Sequence, residues 1–370
     1  MAFPPEVTSE QSKKVGQNVT ADVTSPALLR RLLLERVERR IRDFLAAERE
    51  LRCQIDARAG VPIDALSELI GSGGKRVRPS FCIAGYLAAG GDPAADDGVV
   101  AAGAALEVLH TCALIHDDVM DASARRRGAP TLHTRLSAEH ARRGWAGEPR
   151  RFGESVAILA GDLALIYADV IMSEVIVSAA ATPVPAAWAE LRAELVVGQY
   201  MDLVAAAERS ADPELSRWIA ITKSGRYTIH RPLVIGAGLA GRTELAPAFA
   251  TYGDALGEAF QLRDDLIDAF GPDADTGKPA GLDFARHKMT LLLSLAMRRD
   301  SRVRDLVLGG DPDPEKLREV LIDADVPDYL ERRIDRLVDA GCQAVSAAPI
   351  EPGWQAELVA MAREVAYRKS

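Results

Sequence analysis

Residues 105–121 read ALEVLHTCALIHDDVMD, and residues 255–268 read ALGEAFQLRDDLID. Each is an apolar-rich run closing on the same signature, Asp-Asp-x-x-Asp: Asp117, Asp118 and Asp121 in the first, Asp264, Asp265 and Asp268 in the second. On an α-helix, positions i, i+1 and i+4 fall within roughly 100° of one face, so each signature offers its carboxylates to one patch of space. Crowded anions repel unless a cation joins them. Ligands that are all oxygen select hard ions such as Mg²⁺, which keeps several waters and takes other ligands from phosphates. A single copy could be a solvated acidic helix face. The apolar flanks and the duplication argue otherwise, because unpaired charge turned toward an interior is costly. Two such patches facing each other would clamp a diphosphate.

The helical period extends outward from both signatures. Ser25 is a plausible N-cap before Pro26, and PALLRRLLLERVERRIRDFLAAERELR repeats apolar residues every three or four positions. The period recurs in SVAILAGDLALIYADVIMSEVIVSA, WAELRAELVVGQYMDLVAAAE, TLLLSLAMRR, KLREVLIDADV and YLERRIDRLVDAGCQAV, with Gly-, Pro- or Asp-rich breaks between. No run alternates convincingly as a strand. The expectation is an all-α protein: one large helical bundle over residues 26–370 around a central cavity, preceded by a flexible polar tail over residues 1–25.

Composition narrows the function. The chain has 370 residues, 48% of them hydrophobic and only 5% aromatic, which suits helices packed through small side chains. A formal charge of -9 leaves no basic footprint for nucleic acid. Cys53, Cys82, Cys112 and Cys342 are scattered with no CxxC pair, so they read as reduced residues of a cytoplasmic protein. No uninterrupted apolar stretch reaches the ~18 residues of a membrane span, and MAFPPEVTSEQSKK lacks a signal-peptide pattern.

Charge gathers at two breaks in the helical period. In GSGGKRVRPS (71–80), glycines free the backbone while Lys75, Arg76 and Arg78 offer cations beside a helix start. In ASARRRGAPTLH (122–133), Arg125, Arg126 and Arg127 follow the first acidic signature directly. Each could grip an anion. Each could also be a solvated loop, or in the second case pair with Asp121 and its neighbours. An acidic chain that concentrates cations beside acidic signatures suits two polyanions, one bridged through metal and one held directly by Lys and Arg. No serine or cysteine elbow, HExxH or GxxxxGK[ST] loop is present.

From about residue 65 to 295 the chain resembles the trans-isoprenyl diphosphate synthases, the polyprenyl synthetase family. GGKRVRP, LIHDDVMD followed by RRG, GQYMDL, Lys223, QLRDDLID and TGKPAGLD occur in that family's order and spacing. The resemblance implies helices around a deep cavity, usually in a homodimer, and a geranylgeranyl diphosphate synthase-like activity. It implies that Gly74, Lys75, Arg78, His110 and Arg127 bind isopentenyl diphosphate and that Arg126 reaches the allylic diphosphate. Asp117, Asp118, Asp121, Asp264, Asp265 and Asp268 would hold about three Mg²⁺ ions. Lys223, Ser224, Gln261, Lys278 and Lys288 would complete the cage, with Gln199 and Asp202 near the allylic site. The reaction implied is ionisation of the allylic substrate, attack by the isopentenyl double bond and loss of a proton. Ser224 stands where the family commonly has threonine, and His287 where it commonly has glycine, which bears on how the loop at Lys288 closes.

In this family, side chains about one turn before the first signature floor the cavity and limit product length. Here these are Cys112 and Ala113, both small, with Val108 and Leu109 a turn deeper. The expected product is the twenty-carbon geranylgeranyl diphosphate; farnesyl and longer products are the alternatives. On bland readings, His116 is structural and Asp162 is a buried hydrogen-bonding residue. A class I terpene cyclase would not need GGKRxR, and a non-catalytic synthase subunit typically loses aspartates that this chain keeps.

Overall fold

The computed structural model describes residues 25–179, 182–271, 284, 288–310 and 313–368. The expected polar tail (1–25), apart from Ser25, and the TGKPAGLD stretch, with Lys278 and His287, lie outside the described residues.

Helix α1 (Pro26–Cys53) starts as its capping residues dictate: the Ser25 hydroxyl accepts from Leu28 N at 3.4 Å and Pro26 occupies the first turn. It buries Leu33, Val37, Ile41 and Leu45, one residue per turn, so a single stripe faces inward. Helices α2 (Val61–Gly71), α3 (Val77–Ala88) and α4 (Asp97–Met120) follow. α4 is the axis of the bundle: residues 99–109 are all buried, and it packs on α1, on α3 and on α6 (Pro149–Ser178). Its alanines allow that close approach on several sides at once.

Between α4 and α5 (Leu132–Arg143) the chain makes one minimal hairpin, β1 (Arg125–Arg126) against β2 (Ala129–Pro130). Its two central residues, Arg127 (φ 51°) and Gly128 (φ 78°), both have positive φ, as a type I′ turn requires. Too short to show any alternation, this hairpin is what the Arg-rich break at 122–133 becomes. The second half of the bundle contains α7 (Val184–Glu208), α8 (Pro213–Ile219), a π-helical stretch (Ala220–His230), α9 (Arg231–Leu239) and α10 (Ala246–Phe270). It ends with α11 (Leu291–Arg299), α12 (Ser301–Leu308), α13 (Pro314–Asp323), α14 (Val326–Ser346) and α15 (Pro352–Ala366).

α10 crosses the π-helical stretch where two glycines meet: a Cβ on Gly257 would lie 2.1 Å from Gly225 Cα. That backbone contact sets how near the second acidic signature comes to Lys223 and Ser224. One hydrophobic cluster runs from Leu33 to Ala366, joining both halves. Among the described residues, two helices are long and apolar enough to cross a membrane by length and composition: residues 97–120, whose apolar window is 78% buried within the fold, and residues 149–177, at 44%. The second leaves Ile158, Leu159, Ile166, Val170 and Val177 exposed, and α7 leaves Val196, Val197, Tyr200 and Leu203 exposed.

Candidate active site

A cavity of about 780 Å³ opens between α4, α7, α10 and the π-helical stretch. One face of α4 supplies Glu107, His110, Ala113, Leu114 and Asp117, at helical spacing. α10 supplies Phe260 and Asp264; the π-helical stretch supplies Lys223, Ser224, Tyr227 and Thr228. Residues 74–78, Arg126 and Arg127 of the hairpin, Leu195 and Gln199 of α7 and Arg368 complete the lining. The two acidic signatures, far apart in sequence, therefore border one space.

The first acidic wall is compensated by cations from elsewhere. Arg126 Nε donates to both oxygens of buried Asp118, at 3.0 and 2.9 Å, and its Nη2 lies 3.6 Å from Asp117. Lys223 Nζ lies 3.9 Å from Asp117 and 2.7 Å from Asp202. On the second wall, Arg368 pairs with Asp264 while its guanidinium stacks 3.8 Å from the Phe260 ring centroid. Buried Asp265 accepts from Gln261 Nε2 at 2.8 Å and from Leu292 N at 3.1 Å, and Ser224 donates to Gln261 at 2.8 Å. Asp121 caps the C-terminus of α4, and Asp268 is half-buried on α10. Among the described residues, no three His, Cys, Asp or Glu side chains gather around one point. The donors are all oxygen, lie on two helices around one cavity and have side-chain cations as present partners. This set fits a hard divalent ion that completes its shell with phosphate oxygens rather than a closed protein cage.

The other end of the cavity is cationic. Arg76 is not part of the grip: in the left-handed conformation (φ 47°), it donates to Glu107 (2.7 Å), Glu38 (3.1 Å) and Ile70 O (2.7 Å). Its neighbours Lys75 and Arg78 are thereby turned into the cavity. Arg127 donates to Ser72 Oγ at 3.3 Å and to Gly73 O, tying the hairpin to the glycine loop. Arg78 lies 4.3 Å from the Tyr227 ring centroid. Burial, and then the cations Arg78, Arg126, Arg127 and Arg76, hold the His110 imidazole well below its usual 6.5, so it is neutral. Burial and the Arg126 and Arg76 charges also lower the Arg127 guanidinium; burial, then Arg368, lowers Lys75. This crowding of like charge is arranged for an anion.

Other assigned residues fall as follows. Lys288 borders a smaller adjoining cavity with Asp202, Lys223, Ser224 and Gln261. Of the residues assigned to product length, Ala113 lines the main cavity. Cys112 turns to His116 (Sγ to Nδ1, 3.8 Å), while Val108 and Leu109 are buried in helix packing, off the lining. One residue along a helix is about 100° of rotation, which separates Cys112 from Ala113. Leu114 joins Ala113 on the cavity face. His116 is structural, with Nε2 3.1 Å from Ile158 O. Asp162, expected to be buried, is exposed, with its carboxylate 3.5 Å from His116. Glu107, Tyr227 and Arg368 were not singled out from sequence. Glu107, an acid inside an apolar helical run, carried a readable signal; Arg368 carried none.

Comparison with known proteins agrees with this geometry. Residues 63–322 match the profile described as Polyprenyl synthetase. The chain belongs to the polyprenyl synthetase family. Its activity is that of a trans-prenyltransferase. A short chain isoprenyl diphosphate synthase of Methanothermobacter thermautotrophicus is 34% identical over 267 residues, 70% of this chain and 74% of the relative. A nonaprenyl diphosphate synthase of Mycobacterium tuberculosis is 30% identical over 302 residues, 79% of this chain and 83% of the relative. A Corynebacterium glutamicum geranylgeranyl pyrophosphate synthase, solved with isoprenyl diphosphate and magnesium, superposes with a TM-score of 0.83 at 34% identity, covering 92% of this chain and 99% of that one. These relatives make products of different lengths, so membership of the polyprenyl synthetase family leaves product length to the cavity itself.

Proposed function

We propose that this prenyltransferase condenses isopentenyl diphosphate with an allylic diphosphate and that its main product is geranylgeranyl diphosphate. The observation that carries the reading is one cavity bordered by both acidic signatures at one side and by Lys75, Arg78, His110 and Arg127 at the other. Carboxylates that could hold metal and Lys/Arg cations thus line the same space, which suits two diphosphates held by different chemistry. The cationic end binds isopentenyl diphosphate: its groups are held close against mutual repulsion, and an anion relieves that repulsion. Neutral His110 offers a ring N–H as a donor. Arg126 and Lys223, now on Asp118 and Asp202, are placed to turn to the allylic diphosphate. Bound Mg²⁺, about three ions, would supply charge stabilisation to the departing diphosphate, with Asp117, Asp118, Asp121, Asp264, Asp265 and Asp268 as its protein ligands. Arg126 and Lys223 add to that stabilisation. Phe260, Leu114 and Leu195 exclude water around the allylic cation while the isopentenyl double bond attacks, and the released diphosphate takes the proton.

The twenty-carbon assignment rests on Ala113, a small side chain on the cavity face one turn before Asp117. Incubating the protein with labelled isopentenyl diphosphate, Mg²⁺ and each allylic primer, then sizing the dephosphorylated alcohols, tests it: the expected main product has twenty carbons. A dominant farnesyl product refutes it. Ala113→Phe should shorten whatever is made.

The exposed apolar residues of α6 and α7 support a homodimer in which those helices are covered, since large exposed apolar surface marks an association site. Sedimentation should give twice the chain mass, and Val170→Asp with Tyr200→Asp should give the monomer.

A further inference from the structure

Away from the acidic walls, a second cavity of about 310 Å³ lies between α8, α11 and α14. It is within the size range of small-molecule sites. Arg217 of α8, Arg298 and Arg299 at the end of α11, and Arg333 of α14 converge on it, with Leu295 and Tyr329 as apolar surface.

The counter-charge is insufficient and lies mostly underneath. Glu258, fully buried on α10, accepts from Arg217 Nε and from Arg333 Nε, each at 2.7 Å, so one carboxylate serves two guanidinium groups. Arg299 lies 5.0 Å from the Tyr329 ring centroid, donates to Ala324 O at 3.2 Å and approaches Asp325 only to 3.7 Å. Arg298 makes no hydrogen bond or ion pair among the described residues. Among the described residues, Glu214 is the only carboxylate in the lining itself. Set against Glu214, Glu258 and the more distant Asp325, which Arg332 also engages at 3.0 Å, four arginines still leave net positive charge here, in a chain whose formal charge is -9. Ordinary surface arginines splay into water. Here Glu258 pins two and Tyr329 supports a third, so most of the ordering cost of gripping a ligand has been met in advance.

We propose that this cavity is a second anion site, which takes the diphosphate group of a small molecule. Paired phosphates match the convergent planar forks better than a single point charge would. The site also shares helices with the catalytic cavity. Ser216 of α8 and Ser294 of α11 are hydrogen-bonded at 2.6 Å, and Asp265 accepts from Leu292 N in the first turn of α11. Glu258 sits two turns before Asp265 on α10. An occupant therefore bears on the elements that hold the second acidic wall.

Calorimetric titration of the full chain with inorganic diphosphate in metal-free buffer tests this. Wild type should titrate two sites per chain. Lys75→Ala with Arg78→Ala should keep the second site and lose the first. Arg298→Glu, a change at an exposed side chain, should keep the first and weaken the second by roughly tenfold or more. Arg217→Gln should weaken it comparably, with circular dichroism verifying that both proteins are folded. If Arg298→Glu titrates like wild type, or if the Lys75→Ala, Arg78→Ala protein binds no diphosphate, the second site does not exist. If that double variant instead keeps two sites, it is the catalytic assignment of Lys75 and Arg78 that fails.

Discussion

Replacing Glu107 by alanine removes the buried anchor of the cationic loop, and the cost follows from the contacts of Arg76. That guanidinium is only 10% exposed and the Glu107 side chain 7%, at 2.7 Å. Removing one partner of a buried ion pair costs about 3–5 kcal/mol, because the other charge stays behind uncompensated. Arg76 keeps Ile70 O and the more exposed Glu38, so the lower end applies: about 3 kcal/mol. Arg76 also holds φ 47°, a conformation disfavoured by roughly 1–2 kcal/mol in an L-residue, and without its anchor the loop gains reason to relax. Lys75 and Arg78 flank it, so their aim is lost along with the stability. Urea denaturation should show an unfolding free energy lower by that amount, from an earlier midpoint at unchanged slope. Steady-state kinetics should show KM for isopentenyl diphosphate rising about tenfold while KM for the allylic substrate holds, since ~1.4 kcal/mol of lost binding is a factor of ten. Glu107→Gln, which can still accept a hydrogen bond, should fall between. The reasoning is refuted if Glu107→Ala unfolds within about 0.5 kcal/mol of wild type and its isopentenyl diphosphate KM is unchanged.

Three further outcomes are expected. Arg126→Ala should lower the melting temperature in EDTA, because Asp118 would be buried with its main partner gone, and added Mg²⁺ should recover part of that loss; equal effects with and without metal would count against the acidic wall as a metal ligand set. Gly257→Ala should destabilise by at least about 1–3 kcal/mol and impair turnover, because its methyl would meet Gly225 backbone at a crossing that positions Lys223. For His110, the folded-state pKa lies below the unfolded value of 6.5, so the unfolded chain binds the extra proton and stability falls as pH drops below about 6.5. His110→Gln should flatten that fall between about pH 6.5 and 5 in pH-dependent melting, and an unchanged slope would show that His110 does not carry it.

The helices were legible because their evidence is local. Apolar spacing in 26–53, a serine before proline at 25–26 and the two acidic signatures can be read within a few residues, since a helix repeats every 3.6 positions whatever surrounds it. The family-bearing motifs are local in the same sense. Rotation about each helix axis is not. Ala113 rather than Cys112 meets the cavity because of how α4 packs against α6, and Asp162 is exposed because α6 turns that side outward. The roles of neighbouring arginines also diverge without any sequence marker: Arg76 is consumed by Glu38 and Glu107, while Arg78 stays on the cavity. Arg368 reaches Asp264 across 104 residues, and Glu258 gathers Arg217 and Arg333 from separate helices. Sequence alone thus determined which segments are helical and which chemistry the chain carries. Only the tertiary structure decided which charge meets which, because pairing depends on distances that close when helices far apart in the chain pack together.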